Sequence, residues 1–320
     1  MKVVYNSSSF EKRVLFMEFT RLKTFIEVFE EKNFSKVAEK LYLSQPTVSC
    51  QIQKLEQDYG TIFFSRNGKS IEPTADGMVF YKYAKEMINM HQNLLYELGT
   101  NKELLAGVIR LGSSSVPQIY ILPKIIKEFC MENPNINFEM TTTDSENVIK
   151  QIIDGYISLG IVGAKVQSKH IEYIELMKDR LVLALPKSYK DKYKPYDKIS
   201  IDDFRKIPLI LREGGSGTRI FLEEFLNGNN ITIDTLNIRV KTTLNNTVIN
   251  LIKEDVGGSI ISDIAIKDEI ESGEIIPIEI DGLEMIRSFY FAIHKSRVLS
   301  PICEEFKNYI MENYSMNKGM

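Results

Sequence analysis

Residues 34–57 read FSKVAEKLYLSQPTVSCQIQKLEQ, and they constrain the fold more tightly than any other stretch. The spacing predicts a short helix from Ser35 to about Leu41, opening on a serine cap. After a tight turn a second helix starts at Ser44-Gln45-Pro46. Ser44 is its cap, and Pro46 sits in the first turn, where a missing N–H has no partner to lose. Ala38 is small enough to let the two helices cross closely. Val48, Ile52 and Leu55 recur at i, i+4 and i+7 and bury one face. The opposite face carries Gln45, Thr47, Ser49, Cys50, Gln53 and Lys54, groups of the kind that hydrogen-bond base edges and phosphates. This is a helix-turn-helix with a polar recognition face. Standing alone, it fits an ordinary hairpin with a solvated face equally well.

The flanks favour nucleic acid. Upstream, Leu22, Phe25, Ile26 and Phe29 form an apolar stripe at helical spacing, giving a first helix from about Glu18 to Glu31. Downstream, Phe63-Phe64 and Ser70-Ile71 read as two short strands around the turn Arg66-Asn67-Gly68-Lys69. A basic hairpin beside a recognition helix is a wing, with Arg66 and Lys69 placed to hold phosphates. Thr74 then opens a long helix to about Leu98. On it Tyr81, Ala84, Ile88, His91, Leu95 and Leu98 alternate steps of three and four. Such a heptad-like seam suits a partner helix and implies a dimer, the alternative being that the stripe packs on its own domain.

These residues resemble the N-terminal domain of LysR-type transcriptional regulators over 17–100. The match is carried by Ala38, Leu41, Ser44-Gln45-Pro46, Val48-Ser49, Ile52, Leu55-Glu56, Phe64, Arg66 and Thr74-Ala75-x-Gly77. The resemblance implies a winged helix-turn-helix at 17–73 and a linker helix at 74–100 that pairs antiparallel between subunits. It also implies double-stranded operator DNA as partner, and a homodimer or a tetramer of two dimers. The expected DNA contacts are Ser44, Gln45, Pro46, Thr47, Ser49, Cys50, Gln53, Lys54, Arg66 and Lys69. Cys50 stands where the family often has another polar or a basic residue. Residues 1–16 precede the family pattern and are expected to be a disordered extension or to lie upstream of a start at Met17.

Charge excludes a nonspecific basic binder. The net charge is −3, and residues 17–100 hold ten basic against eleven acidic residues. Affinity for DNA must come from locally placed cations, neutral donors and helix N-termini, doubled in a dimer. Acidic Glu56 and Glu72 must then point away from the duplex. No apolar run approaches a membrane span, and residues 1–16 lack the features of a signal peptide. Three cysteines without paired spacing point to a reducing cytoplasm.

From about Gly107 strand and helix signals alternate, as in an α/β domain with a mostly parallel sheet. Such sheets bind ligands beyond the carboxyl ends of strands. Four strand-to-helix junctions are rich in small polar residues: Ser113-Ser114-Ser115, Thr141 to Ser145, Gly214 to Arg219, and Thr242 to Asn245. If they converge they make an anion pocket at helix N-termini; taken singly, each is more simply an N-cap. The expected effector contacts are Ser113, Ser114, Ser115, Thr142, Thr143, Ser216, Gly217, Thr218 and Asn245. Residues 106–313 resemble the effector-binding domain of the same family, which has the fold of periplasmic binding proteins type 2. The whole chain is therefore expected to be an α+β multidomain protein. Lobe I is placed at 106–178 plus 284–313 and lobe II at 179–283. The junctions look most similar to regulators of sulfur assimilation and cysteine synthesis, whose effectors include sulfate-like anions and acetylated serine. This chain has serines where that subgroup has threonines.

An enzyme is poorly supported. The three histidines, at 91, 170 and 294, form no metal-ligand spacing, and Gly214 to Thr218 lacks the lysine of a nucleotide phosphate loop. No cofactor, metal or catalytic residue is expected. A redox switch through Cys130 and Cys303 is the rival regulatory reading; their neighbours Phe129 and Phe306 argue for buried, inert thiols.

Overall fold

The computed structural model describes residues 8–67, 70–98, 105–229, 231–283 and 285–316. It divides into two compact units: Met1–Glu103 with Arg297–Pro301, and Leu104–Ser296 with Ile302–Met320.

In the first unit α1 spans Ser8–Glu31. It starts ten residues ahead of the expected Glu18, so residues 8–16 continue the helix instead of forming a disordered extension. No glycine or proline interrupts that stretch. Helix α2 covers Phe34–Lys40, and its cap is Asn33, not Ser35. The Asn33 Oδ1 accepts the N–H groups of Ser35 and Lys36 at 3.0 and 3.1 Å, which leaves the serine inside the first turn. Helix α3 spans Gln45–Tyr59, capped by Ser44 and closed by left-handed Gly60. Strands β1 (Phe64–Asn67) and β2 (Ser70–Pro73) pair antiparallel with Asn67 opposite Ser70. Arg66 and Asn67 thus belong to a strand, not to the turn. Helix α4 runs Ala75–Glu97, with Thr74 accepting the Gly77 N–H at 3.0 Å.

The core of this unit joins all four helices to the lead-in of the wing. Phe25, Val37, Val48, Ile52, Leu55, Phe63 and Phe80 are buried in it. The first half of the expected dimer seam on α4 is spent here, while Leu98 at its end stays exposed. Tyr81, Ala84 and Ile88 are buried in the same core. Tyr81 stacks on Phe29 at 3.9 Å, and His91 stacks on Phe19 at 4.0 Å. The exposed apolar stripe lies one step round the helix, at Val79, Tyr83, Met87, Met90, Leu94 and Leu98.

The second unit opens with β3 (Gly107–Ser113), α5 (Ser115–Tyr120), α6 (Leu122–Glu132), β4 (Ile136–Thr142), α7 (Ser145–Asp154) and β5 (Leu159–Val162). The long strand β6 (Ile171–Pro186) follows, then β7 (Lys198–Ile199), α8 (Ile201–Lys206), β8 (Leu209–Arg212) and α9 (Gly217–Gly228). The chain continues through β9 (Ile238–Thr242), α10 (Asn245–Lys253), β10 (Ser259–Ser262), α11 (Lys267–Glu271), β11 (Ile275–Ile280), β12 (Ile286–His294) and α12 (Pro301–Asn313).

Strands β4, β3 and β5 run parallel, and β12 joins β5 antiparallel. Strand β6 serves two lobes. Up to Arg180 it pairs with β12; from Leu181 it pairs with β10 and β11. Its apolar run Leu181–Pro186 is buried throughout, as a strand covered on both faces must be. The expected mostly parallel sheet is corrected: every pairing of β6 and β12 is antiparallel, because these strands carry the chain between lobes. Separate apolar clusters fill the lobes, one around Val148, Ile152 and Val162, the other around Leu183, Phe204, Leu209 and Ile278. Among the described residues no helix is long and apolar enough to cross a membrane.

Candidate functional site

The outer face of α3 is the first candidate. Val48, Ile52 and Leu55 turn inward, which leaves Gln45, Pro46, Thr47, Cys50, Gln53 and Lys54 exposed and Ser49 half-buried. The Ser44 hydroxyl accepts the Thr47 N–H at 3.2 Å and lies 2.7 Å from the Thr47 hydroxyl. These two residues are therefore partly committed to the helix start. Glu56 is engaged inward, accepting the N–H groups of Phe63 and Phe64 at 2.8 and 3.3 Å. Glu72 pairs with Lys32 at 2.7 Å. Both acids are thus held by the protein. So are most cations nearby: Lys36 pairs with Glu31, Lys40 with Glu27 at 2.6 Å, and Arg21 with Asp58 at 3.5 Å. Lys54 has no ion-pair partner among the described residues. The Arg66 side chain and Lys69 lie outside the described residues.

The second candidate is the cleft between the lobes of the second unit. Ser114, Ser115, Thr143, Ser216, Gly217, Thr218 and Asn245 line it together. Ser113 and Thr142 do not. Ser113 is fully buried and donates to the Ser114 carbonyl at 3.0 Å; Thr142 hydrogen-bonds Gln118. In an extended strand successive side chains point to opposite faces, so a run of hydroxyl residues cannot all reach one cleft.

Simple side-chain capping accounts for one of the four junctions and not for the other three. Asp144 caps α7, accepting the Asn147 N–H at 2.9 Å. Ser114 and Ser216 occupy cap positions of α5 and α9 and make no side-chain cap bond. The cap of α10 is Leu244, which has no group to offer. Elsewhere α2, α3, α4 and α8 are capped by side chains, while α6 and α11 are not. The uncapped N-termini of α9 and α10 leave first-turn N–H groups for whatever enters the cleft.

Two arginines that sequence reasoning missed complete the site. Arg212 ends β8 and is buried. It forms a fork with Glu213 at 2.7 and 2.8 Å and hydrogen-bonds Asn245 Oδ1. Arg287, on β12, is 7% exposed and pairs at 2.8 Å with Asp179, which is 2% exposed. Its Nη1 donates to Thr218 at 3.1 Å, and Ser262 donates to the other Asp179 oxygen at 2.6 Å. Burial pushes the Arg287 pKa down, Asp179 pulls it back, and the like charge of Arg212 lowers it again. A charged residue closing an otherwise apolar strand, as in LILR, was the available signal.

The lobes touch at glycines. A Cβ on Gly217 would fall 2.8 and 2.9 Å from the carbonyl carbon and oxygen of Gly163. The space left in the cleft is ≈20 Å³, enough for about one water molecule. The cysteines lie apart from this cleft lining: Cys50 is exposed, Cys130 half-buried and Cys303 buried, all three free thiols.

Residues 19–78 match the bacterial regulatory helix-turn-helix protein, lysR family. Residues 102–315 match the LysR substrate binding domain. The uncharacterized HTH-type transcriptional regulator MJ0300 of Methanocaldococcus jannaschii is 33% identical over 275 residues, 86% of this chain and 91% of that protein. The HTH-type transcriptional regulator CysL of Bacillus subtilis is 28% identical over 293 residues, 91% of this chain and 94% of that protein. A full-length OxyR variant from Pseudomonas aeruginosa superposes with a TM-score of 0.75 at 17% identity, covering 94% of this chain and 98% of its own. CbnR complexed with its target DNA gives 0.59 at 20% identity, covering 92% and 99%. With both domain signatures spanning most of its length, this chain belongs to the LysR family of transcriptional regulators.

Proposed function

We propose that this regulator reads operator DNA through Gln45, Pro46, Thr47, Ser49, Cys50, Gln53 and Lys54, with Ser44 at the helix start and Arg66 and Lys69 of the wing on phosphates. Its cleft takes a small anionic or amino-acid-like effector. The observation that carries the effector reading is the convergence of two buried guanidinium groups on helix N-termini that no side chain caps. Such groups attract anions strongly where water is excluded. The space as it stands takes about one water molecule, so an effector enters only with the lobes parted, and a compact anion needs the least parting. The resemblance of the junctions to regulators of sulfur assimilation, and the similarity to CysL, make sulfate-like anions and O-acetylserine the first to test. The exposed stripe from Val79 to Leu98 on α4 fits a second copy of the same helix, so the working unit is a homodimer or a dimer of dimers. Work on operator DNA supports a cytoplasmic location.

A thermal-shift panel of sulfate, thiosulfate, selenite, phosphate, acetate and O-acetylserine tests the effector. A ligand at a hundred times its dissociation constant stabilises by about 2.7 kcal/mol, roughly 5–11 °C for a domain of this size. One selective hit that Ser216→Ala or Thr218→Val weakens is expected. A hit indifferent to both substitutions, or no hit at all, removes the cleft from the reading. A shift produced only by peroxide turns it toward Cys130 and Cys303.

A further inference from the structure

Among the described residues, four other than glycine hold a left-handed backbone: Lys32, Tyr42, Tyr196 and Asp255. Bulky side chains adopt that conformation rarely, and it persists where something else compensates. For three of them the compensation is internal. Lys32 pairs with Glu72 at 2.7 Å. Asp255 accepts from Ser188 at 2.7 Å. Tyr196 donates to Asp263 at 3.3 Å and lies under the Arg180 guanidinium, 4.4 Å away. Tyr42 is different. It has φ 55, the residue is 97% exposed, and its side chain makes no hydrogen bond or ring contact among the described residues.

Tyr42 is also not loose. It occupies the turn between α2 and α3, and the chain on either side of it is fastened. Leu41 N bonds to Val37 O at 2.9 Å, Tyr42 N to Glu39 O at 3.2 Å, and Leu43 N to Ala38 O at 2.8 Å. Leu41 and Leu43 both pack against the core of the unit. A rigid turn therefore projects one phenol into solvent, two residues ahead of the Ser44 cap of the recognition helix.

We propose that Tyr42 fastens this turn to the operator, its hydroxyl donating a hydrogen bond to a backbone phosphate at the edge of the major groove. The proposal rests on the reading that α3 enters that groove. Two residues span at most about 7 Å of chain, and the groove is about 12 Å wide. With the α3 N-terminus at the base edges, Tyr42 stands at the groove wall, where phosphates lie. The charge pattern asks for such a contact: Lys36 and Lys40 on α2 are already paired with Glu31 and Glu27, so neutral donors must hold the backbone there.

The test uses the full chain and a duplex that the wild-type protein enriches from a random-sequence pool. Tyr42→Phe removes only the hydroxyl, and Tyr42→Asn removes the ring while suiting the left-handed backbone. Both are expected to weaken binding roughly ten-fold or more, as loss of a hydrogen bond to a charged group does. The loss is uniform across operator variants, and the salt dependence keeps its slope, because a neutral donor releases no counterion. Thermal stability stays level in Tyr42→Phe and stays level or rises in Tyr42→Asn. Wild-type affinity in both variants overturns the proposal, as does a loss confined to one base position. Lower affinity accompanied by a lower melting temperature in both variants overturns it too, since the role is then structural. A wild-type protein that enriches no duplex overturns the DNA-binding reading itself.

Discussion

Replacing Arg287 by methionine removes one half of the most deeply buried ion pair among the described residues, and its effect can be worked from the partners. Asp179 is 2% exposed and keeps only Ser262, at 2.6 Å, once Arg287 is gone. Breaking a buried pair by removing one partner strands the other charge in a medium of low dielectric and costs about 3–5 kcal/mol. The Thr218 hydroxyl also loses its 3.1 Å donor, which adds a smaller loss. For a domain of this size each kcal/mol moves the midpoint by roughly 2–4 °C, so the effector domain should melt about 6–20 °C lower. Arg287→Lys keeps the charge but not the two donors that reach Asp179 and Thr218 together, and should fall between. The decisive variant is the double replacement Asp179→Asn with Arg287→Met, which leaves no orphan charge and should recover most of the loss. Calorimetry of the full chain and its variants reads all of these. An Arg287→Met protein within about 1 kcal/mol of wild type, or a double variant no better than the single, refutes the reasoning.

Gly217→Ala places a methyl 2.8 Å from the Gly163 backbone and should destabilise by about 1–3 kcal/mol; Gly214→Ala, with nothing within 4 Å, should be near neutral, and thermal denaturation compares them. The Asp263 carboxyl is held above the usual carboxylate range, chiefly by burial, with Asp179 adding to it and the Tyr196 hydroxyl opposing. The folded state therefore holds that proton more tightly than the unfolded chain. Its contribution is fully present below the unfolded pKa and is lost as pH rises through the raised folded value. Asp263→Asn should accordingly melt higher than wild type at about pH 7, with the gap closing by about pH 4; a gap that widens toward acid contradicts the assignment. Tyr83→Glu with Leu94→Glu charges the exposed stripe of α4 and should dissociate the dimer by light scattering, whereas an unchanged mass moves the interface elsewhere.

The recognition helix could be read from sequence because its determinants are local: a cap, a proline in the first turn and three apolar positions on one face. The linker helix shows where that method stops. Its apolar residues cover more than one stripe, and periodicity cannot say which stripe α1 takes. Tyr81, Ala84 and Ile88 went to the core, and the neighbouring stripe was left outside. The cap of α2, expected at Ser35, falls to Asn33, whose side-chain oxygen reaches two N–H groups. In the cleft the hydroxyl-rich junctions were visible because each is contiguous. Arg212, Arg287 and Asp179 were not, because three separate strands bring them together. Nothing near Arg287 in sequence announces Asp179, which lies across the β6–β12 pairing.

That pairing also says how an anion would act. Arg212 comes from lobe II and Arg287 from a crossing strand, and the charge of the first still lowers the pKa of the second although each has its own carboxylate. Bringing Gly217 against Gly163 excludes the water that screens this repulsion. An anion between the guanidinium groups relieves it, so it favours the closed arrangement of the lobes by whatever contacts it makes only there. Moving a population from about 1:99 to 99:1 requires about 5.5 kcal/mol of differential affinity. One charge-assisted hydrogen bond supplies about 1.5–3 kcal/mol, which is too little; two, one from each arginine, span the requirement. Arg212→Gln should therefore still bind the effector, more weakly, but fail to close. Spin labels placed one on each lobe would read the same distance with and without saturating ligand in that variant, while the wild type shortens. A variant that closes as the wild type does would mean that helix N-termini alone drive the switch.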